Sequence, residues 1–99
     1  MPEKEVVLTV LFFAKAKDLS GTVQSTITLK SPIDYSSLLN TVVNQFNLNP
    51  LRHSLILALN EEYLEDSQQV LDLNNNDCLA IIPPISGGTY LINTIKVPY

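Results

Sequence analysis

One cysteine, one histidine, three glycines and no tryptophan occur among the 99 residues, and these scarcities remove several kinds of chemistry at once. A single thiol makes no disulfide framework, and His53 with Cys78 cannot supply the ligands of a zinc site, so no metal site is expected. Three glycines leave no room for a glycine-rich phosphate loop. A Cys78–His53 nucleophilic pair is conceivable from residue type alone. However, a lone cysteine in an apolar strand is ordinarily a small buried residue, and a histidine beside Arg52 is ordinarily a surface one. No catalytic constellation can be assembled from these side chains.

Bases are also few. Six Lys and Arg against ten Asp and Glu give a formal net charge of −4, which argues against nucleic acid as a partner. Glu61, Glu62, Glu65, Asp66, Asp72 and Asp77 fall close together, as a solvated loop face or as a surface for a basic partner. No apolar run approaches the ~18 residues of a membrane helix. The run Val6 to Phe13 before Ala14-Lys15-Ala16 resembles a signal-peptide core, but its flank Pro2-Glu3-Lys4-Glu5 is not basic, and cleavage would remove a strand of the core. A cytoplasmic, membrane-free protein is the expectation.

What remains is the composition of one globular domain: 45% hydrophobic and 16% charged residues in 11.0 kDa, enough for folding to bury roughly two thirds of the unfolded surface. Val6 to Phe13, β-branched and aromatic, reads as a strand, and Ala14 to Leu19 as one helical turn closed at Ser20-Gly21. Val23 to Leu29 alternates Val23, Ile27 and Leu29 with polar residues, giving a second strand antiparallel to the first. Leu38, Leu39, Val42, Val43 and Phe46 recur at spacings of three and four, so a helix is predicted from Tyr35 to Phe46. Asp34 is its cap, with Ile33 stapled on Leu38.

Leu55 to Leu59 reads as the third strand, Asn60-Glu61-Glu62 as a turn, and Tyr63-Leu64 as a short strand. Asn74 to Asp77 is a turn, and Cys78 to Ile82 the last strand before Pro83, which cannot donate to a ladder. Order and lengths predict an α+β roll of the β-grasp kind: a mixed sheet of four to five strands with one main helix on one face. Residues 1–82 form the domain, 83–88 a tail and 89–99 an extension.

The tail holds the chain's unusual feature, Ile82-Pro83-Pro84-Ile85-Ser86-Gly87-Gly88. Two prolines stiffen its base, and residues 83–88 span about 20 Å when extended at ~3.3 Å per residue. Paired glycines can thread a narrow cleft and bring a backbone carbonyl close to reacting groups. An ordinary loop leading to one more strand, Tyr90 to Val97, fits the composition equally well.

Three blocks together, Val10 to Gly21, Leu57 to Leu64 and Asp77 to Gly88, resemble the small, sulfur-carrying subunit of molybdopterin synthase, a ubiquitin-like family of molybdenum cofactor biosynthesis. The resemblance covers residues 6 to 88. It implies that Gly88 is the residue whose carboxylate is adenylated and converted to a thiocarboxylate, with Gly87 a slim spacer. It also implies two partners, a molybdopterin synthase large subunit in a heterotetramer and a ubiquitin-activating-type adenylyltransferase. No cofactor is held permanently; the acyl-adenylate made from ATP is transient. The catalytic side chains would belong to the large subunit, leaving this chain no enzyme by itself. Alternatives are a ubiquitin-like interaction module whose di-glycine is a relic, and a sulfur carrier for thiamine or tRNA thiolation.

Strand parity separates a core set (Val6, Leu8, Val10, Phe12, Leu79, Ile81) from an outward set (Val7, Thr9, Leu11, Phe13, Cys78, Ala80, Ile82). Phe13, Ile82 and Tyr63 are therefore expected to form an exposed apolar patch beside Pro83, Pro84, Ile85 and Ser86, on which the large subunit docks. A crowded core that buries them is the competing expectation. Thr89 to Tyr99 departs from the family pattern, which ends at the second glycine. With Gly88 in amide linkage to Thr89, no free carboxylate is available for adenylation. The extension is apolar and β-prone, so it is either removed, or adds a strand, or hangs free.

Overall fold

The computed structural model describes residues 3–64 and 69–83. Strand β1 (Lys4–Phe12) is followed by the short helix α1 (Lys15–Ser20), β2 (Gln24–Ser31), β3 (Ile33–Asp34) and helix α2 (Tyr35–Gln45). A 3-10 turn (Asn49–Leu51) leads to β4 (Ile56–Leu59), β5 (Glu62–Leu64), β6 (Val70–Leu71) and β7 (Cys78–Ile82). The main sheet has the order β2-β1-β7-β4-β5, with β7 parallel to β1 and the other pairs antiparallel. This is the mixed five-stranded sheet with one main helix that the sequence predicts.

Parity is as expected on the helix side. Val6, Leu8, Val10 and Phe12 of β1 join Leu79 and Ile81 of β7, Leu57 of β4, and Leu38, Val42 and Val43 of α2 in one buried cluster. The Phe12 and Phe46 rings meet edge to face with centroids 4.8 Å apart, tying the end of β1 to the end of α2. Among the described residues, no helix is long and apolar enough to cross a membrane.

Local chemistry sets the ends of the elements. Gly21 closes α1 at φ 79°, its N–H donating to the Lys17 carbonyl at 2.9 Å. Asn60 and Glu61 take φ 51° and 72° in the two-residue turn joining β4 to β5, the left-handed pair that matches the twist of a hairpin. The Asn74–Asp77 turn docks on β1: the Val7 N–H donates to Asn75 Oδ1 at 2.8 Å, and the Asn76 N–H to the Val7 carbonyl at 2.9 Å.

Three details differ from the sequence reading. Val23 lies just before β2, its carbonyl accepting from the Phe12 N–H at 3.0 Å, and is 61% exposed. Ile33 and Asp34 form β3, paired with β6 in a second sheet too short for periodicity to reveal. Asp72 and Asp77, read from the sequence as acids of a solvated loop face, do lie in a loop, with Asp72 exposed, but each also holds a specific partner. Asp72 accepts from Ser31 Oγ and faces Lys4 Nζ at 3.7 Å, and Asp77 accepts from Asn60 Nδ2 and the Asn74 N–H.

The Asp34 cap forms as predicted. Its carboxylate accepts from the Ser37 N–H at 3.0 Å and from Ser37 Oγ at 2.8 Å, and these bonds hold its pKa below the ordinary 3.8. A depressed folded pKa contributes stability that is present above the unfolded pKa and lost as pH falls through the folded one. Asp34→Asn keeps an accepting oxygen without the titration. We expect the melting temperature of the parent to exceed that of Asp34→Asn near neutral pH, with the gap closing below pH 3.8. A gap independent of pH in thermal melts would contradict this account.

Candidate functional site

The face of the sheet opposite α2 carries a second apolar cluster, and hydrogen-bond register places its members in rows. Leu11, Ala80, Ala58 and Tyr63 stand side by side across β1, β7, β4 and β5. Ile56 and Ile82 form the next row, flanked by Phe13, whose N–H donates to the Ile81 carbonyl at 3.3 Å. Cys78 stands beside Thr9 in the row below, with its N–H donating to Asn60 Oδ1 at 2.9 Å. Two alanines in the middle with larger side chains around them make a shallow apolar saddle. Strand β7 leaves it through Pro83.

Direction and exposure must be distinguished. Phe13, Ile82 and Tyr63 do share this face, as parity predicts, but the expectation of an exposed patch is corrected for Ile82. It is 1% exposed, and Leu11, Ala58, Cys78 and Ala80 are also buried. Flanked by Ile56 and Phe13, Ile82 belongs to a second layer of core, so the competing expectation of burial describes it. Phe13 and Tyr63 are half-buried at its margin, and Pro83 is buried. The remaining predicted site residues, Pro84, Ile85, Ser86, Gly87 and Gly88, lie outside the described residues, as does the extension 89–99.

Phe13 is held by a turn that sequence reasoning missed. The Ala16 N–H donates to the Phe13 carbonyl at 3.0 Å, and Ala14 between them adopts φ 51° and ψ −127°. That is the first corner of a type II′ turn, ordinarily a glycine position. Leu11, Phe12 and Phe13 also line a cleft of about 290 Å³ with Val23 and Gln24, where β1 ends and β2 begins.

Among the described residues, the one thiol and the one imidazole do not combine into a reactive pair. Burial pushes the Cys78 thiol up, and the charge of Glu61 adds to it, so the sulfur stays protonated and a poor nucleophile. His53 sits in the exposed loop before β4, away from Cys78 in β7, which removes the Cys-His pair. Among the described residues, no three His, Cys, Asp or Glu side chains gather as a metal site.

The model of the ThiS family matches residues 10–88, reaching from β1 to the second glycine of the tail. The chain belongs to this family. A molybdopterin synthase sulfur carrier subunit from Drosophila yakuba is 46% identical over 79 residues, covering 80% of this chain and 88% of that protein. Another of the same name from Anopheles gambiae is 43% identical over 86 residues, covering 84% and 93%. With these relatives it falls among the sulfur carrier subunits of molybdopterin synthase. In structure, the small archaeal modifier protein 1 of H. volcanii superposes with a TM-score of 0.64 at 15% identity, over 81% of this chain and 99% of that one. This likeness shows the shared β-grasp fold.

The strained corner of this ThiS-family chain generates a stability prediction. A non-glycine residue held in such a conformation costs about 1–3 kcal/mol, partly offset by the entropy glycine loses on folding. Ala14→Gly is expected to raise unfolding free energy by about 1 kcal/mol in urea titrations. A loss of stability would mean that the turn is unstrained.

Proposed function

We propose that this chain is the sulfur carrier of a molybdopterin synthase, with the carboxylate of Gly88 as its reactive group. The observation that carries this reading is the family match running from β1 through Gly88, together with relatives of that name at more than 40% identity, on a domain whose one cysteine is held protonated by burial. The chain then contributes a terminus and a docking surface. The catalytic groups belong to its partners.

The chemistry follows from the carboxylate. A free carboxylate is a poor electrophile; attack of its oxygen on the α-phosphorus of ATP releases pyrophosphate and leaves an acyl-adenylate, from which AMP departs readily. A persulfide-class sulfur donor attacks that carbonyl, AMP leaves, and reductive release of the donor's remaining sulfur yields the thiocarboxylate. Its sulfur is a soft nucleophile, and transfer to a pterin precursor held by the large subunit, with water restoring the acyl oxygen, regenerates the carboxylate. Glycine at both terminal positions admits the arm to two different active sites, one in the adenylyltransferase and one in the large subunit.

This scheme requires hydrolysis of the Gly88–Thr89 bond, because an amide has no carboxylate oxygen to attack the α-phosphorus. The margin of the apolar cluster, where Phe13 and Tyr63 are half-buried over Leu11, Ala58, Ala80 and Ile82, is the surface against which the large subunit packs. Adjacent to the root of the arm, it fixes where Gly88 enters the partner.

The test uses a chain ending at Gly88 with its activating enzyme, ATP, a sulfur source and a reductant. We expect the protein to gain the mass difference between sulfur and oxygen, and expect Gly88→Ala to abolish sulfur transfer in the presence of the large subunit while leaving the melting temperature unchanged. A Gly88→Ala chain that transfers sulfur normally, or one that melts many degrees lower, would overturn the assignment of the arm.

A further inference from the structure

Strand β2 forms one edge of the main sheet, and it runs against β1 in unbroken register from Lys4 opposite Ser31 to Leu11 opposite Gln24. The Phe12 N–H donates to the Val23 carbonyl at 3.0 Å, and bonding across an antiparallel pair returns at every second residue. Ser25, Ile27, Leu29 and Ser31 therefore bond to β1, whereas Gln24, Thr26, Thr28 and Lys30 turn their backbone groups away from it. Gln24 is already satisfied. Its N–H donates to Thr22 Oγ1 at 3.3 Å, and Thr22 Oγ1 donates to its carbonyl at 2.7 Å. Among the described residues, nothing takes the outward N–H and carbonyl groups of Thr26, Thr28 and Lys30, and the side chains of all three are exposed. Edge strands are ordinarily short, bulged or broken by proline; this one is long and even, with Lys30 its only charged residue.

We propose that this edge pairs with the same edge of a second copy of the chain, antiparallel about a two-fold axis at Thr28, joining two five-stranded sheets into one. The edge itself selects this register. An axis at Thr28 sets Thr28 opposite its counterpart and Thr26 opposite Lys30, so every free backbone group finds a partner. At the next bonding position Gln24 meets Pro32: the first needs no partner, and the second has no N–H to offer. An axis at Ile27 would instead set Lys30 against Gln24, whose groups are already taken.

Side chains agree with the backbone. On the outer face, Thr28 stands beside Val7 of β1, so the axis builds a row of four β-branched residues, Val7 and Thr28 from each copy. Lys30 stands beside Glu5, and the two lysines fall on opposite sides of the axis, each against a threonine. A single strand pair is a small interface, so the association is transient and forms at high protein concentration. It lies two strands away from β7 and does not depend on the carrier reading.

The test is amide exchange in the full chain at micromolar and millimolar concentration. We expect the Thr26, Thr28 and Lys30 amides to exchange at least twofold more slowly at the higher concentration. In a mixed-label sample, an intermolecular Overhauser contact from Ile27 Hα to Leu29 Hα is expected, since these residues face each other in the proposed register. Thr28→Pro removes the central outward N–H, and Thr28→Lys sets like charges face to face with the backbone intact; each is expected to abolish the concentration dependence, whereas Thr28→Val retains it. If Thr28→Pro fails to fold, Thr28→Lys decides. Fast exchange at both concentrations would overturn the pairing. Slow exchange at both would mean that the edge is covered within one molecule, which overturns it equally. Slowing that persists in Thr28→Lys would overturn the axis at Thr28.

Discussion

The structure depends on strand β7. It is hydrogen-bonded on both edges, parallel to β1 and antiparallel to β4, and each of its five residues is buried. A strand with apolar side chains on both faces belongs in the middle of a sheet, paired along both edges. Leu79 and Ile81 anchor it to the helix-side core, while Ala80 and Ile82 form the floor of the second cluster. Because β7 runs straight into Pro83, the root of the C-terminal arm is fixed by the best-buried element of the domain.

That arrangement divides work between the two faces. One holds the fold together through α2, the Phe12–Phe46 contact and the aliphatic side chains of β1 and β4. The other is an apolar saddle whose margin, Phe13 and Tyr63, is half-buried and is positioned by a strained turn at Ala14 and a left-handed hairpin at Asn60-Glu61. On the proposed reading, and with no activated thiol among the described residues, the domain serves as a rigid handle on a reactive terminus. A carrier that visits more than one active site needs that separation, since the partner that supplies chemistry changes while the docking surface and the glycine pair stay the same.

Much of this was legible in the residues. The 3.6-residue recurrence from Leu38 to Phe46 gave α2, period-two alternation and β-branched content gave β1 and β2, and parity assigned Val10 and Phe12 to one face and Leu11 and Phe13 to the other. Asp34 declared itself as a cap because no apolar residue competes for that role. Exposure was the poorer reading: parity tells which way Ile82 points but not what packs beside it, and Ile56 and Phe13 reach it through pairings made far along the chain. Val23 misled because alternation assigns a direction and not a depth, and β2 begins only after it, at Gln24. The two-residue strands β3 and β6 are too short to carry a period, and the Ala14 corner violates the glycine preference that would have marked it. The position proposed as reactive rests on the residues alone, since Gly87-Gly88 after Pro83-Pro84 is a backbone device requiring no tertiary partner to be recognised and lies outside the described residues.

A carrier works through a free terminal carboxylate, so the account stands or falls on the state of the Gly88–Thr89 bond in the cell that makes the protein. Intact-mass spectrometry of the chain purified from its own host measures this directly. The account predicts chains ending at Gly88, a fraction of them with one oxygen replaced by sulfur. A population made up entirely of chains extending through Tyr99, with no sulfur-bearing Gly88 terminus, would contradict it.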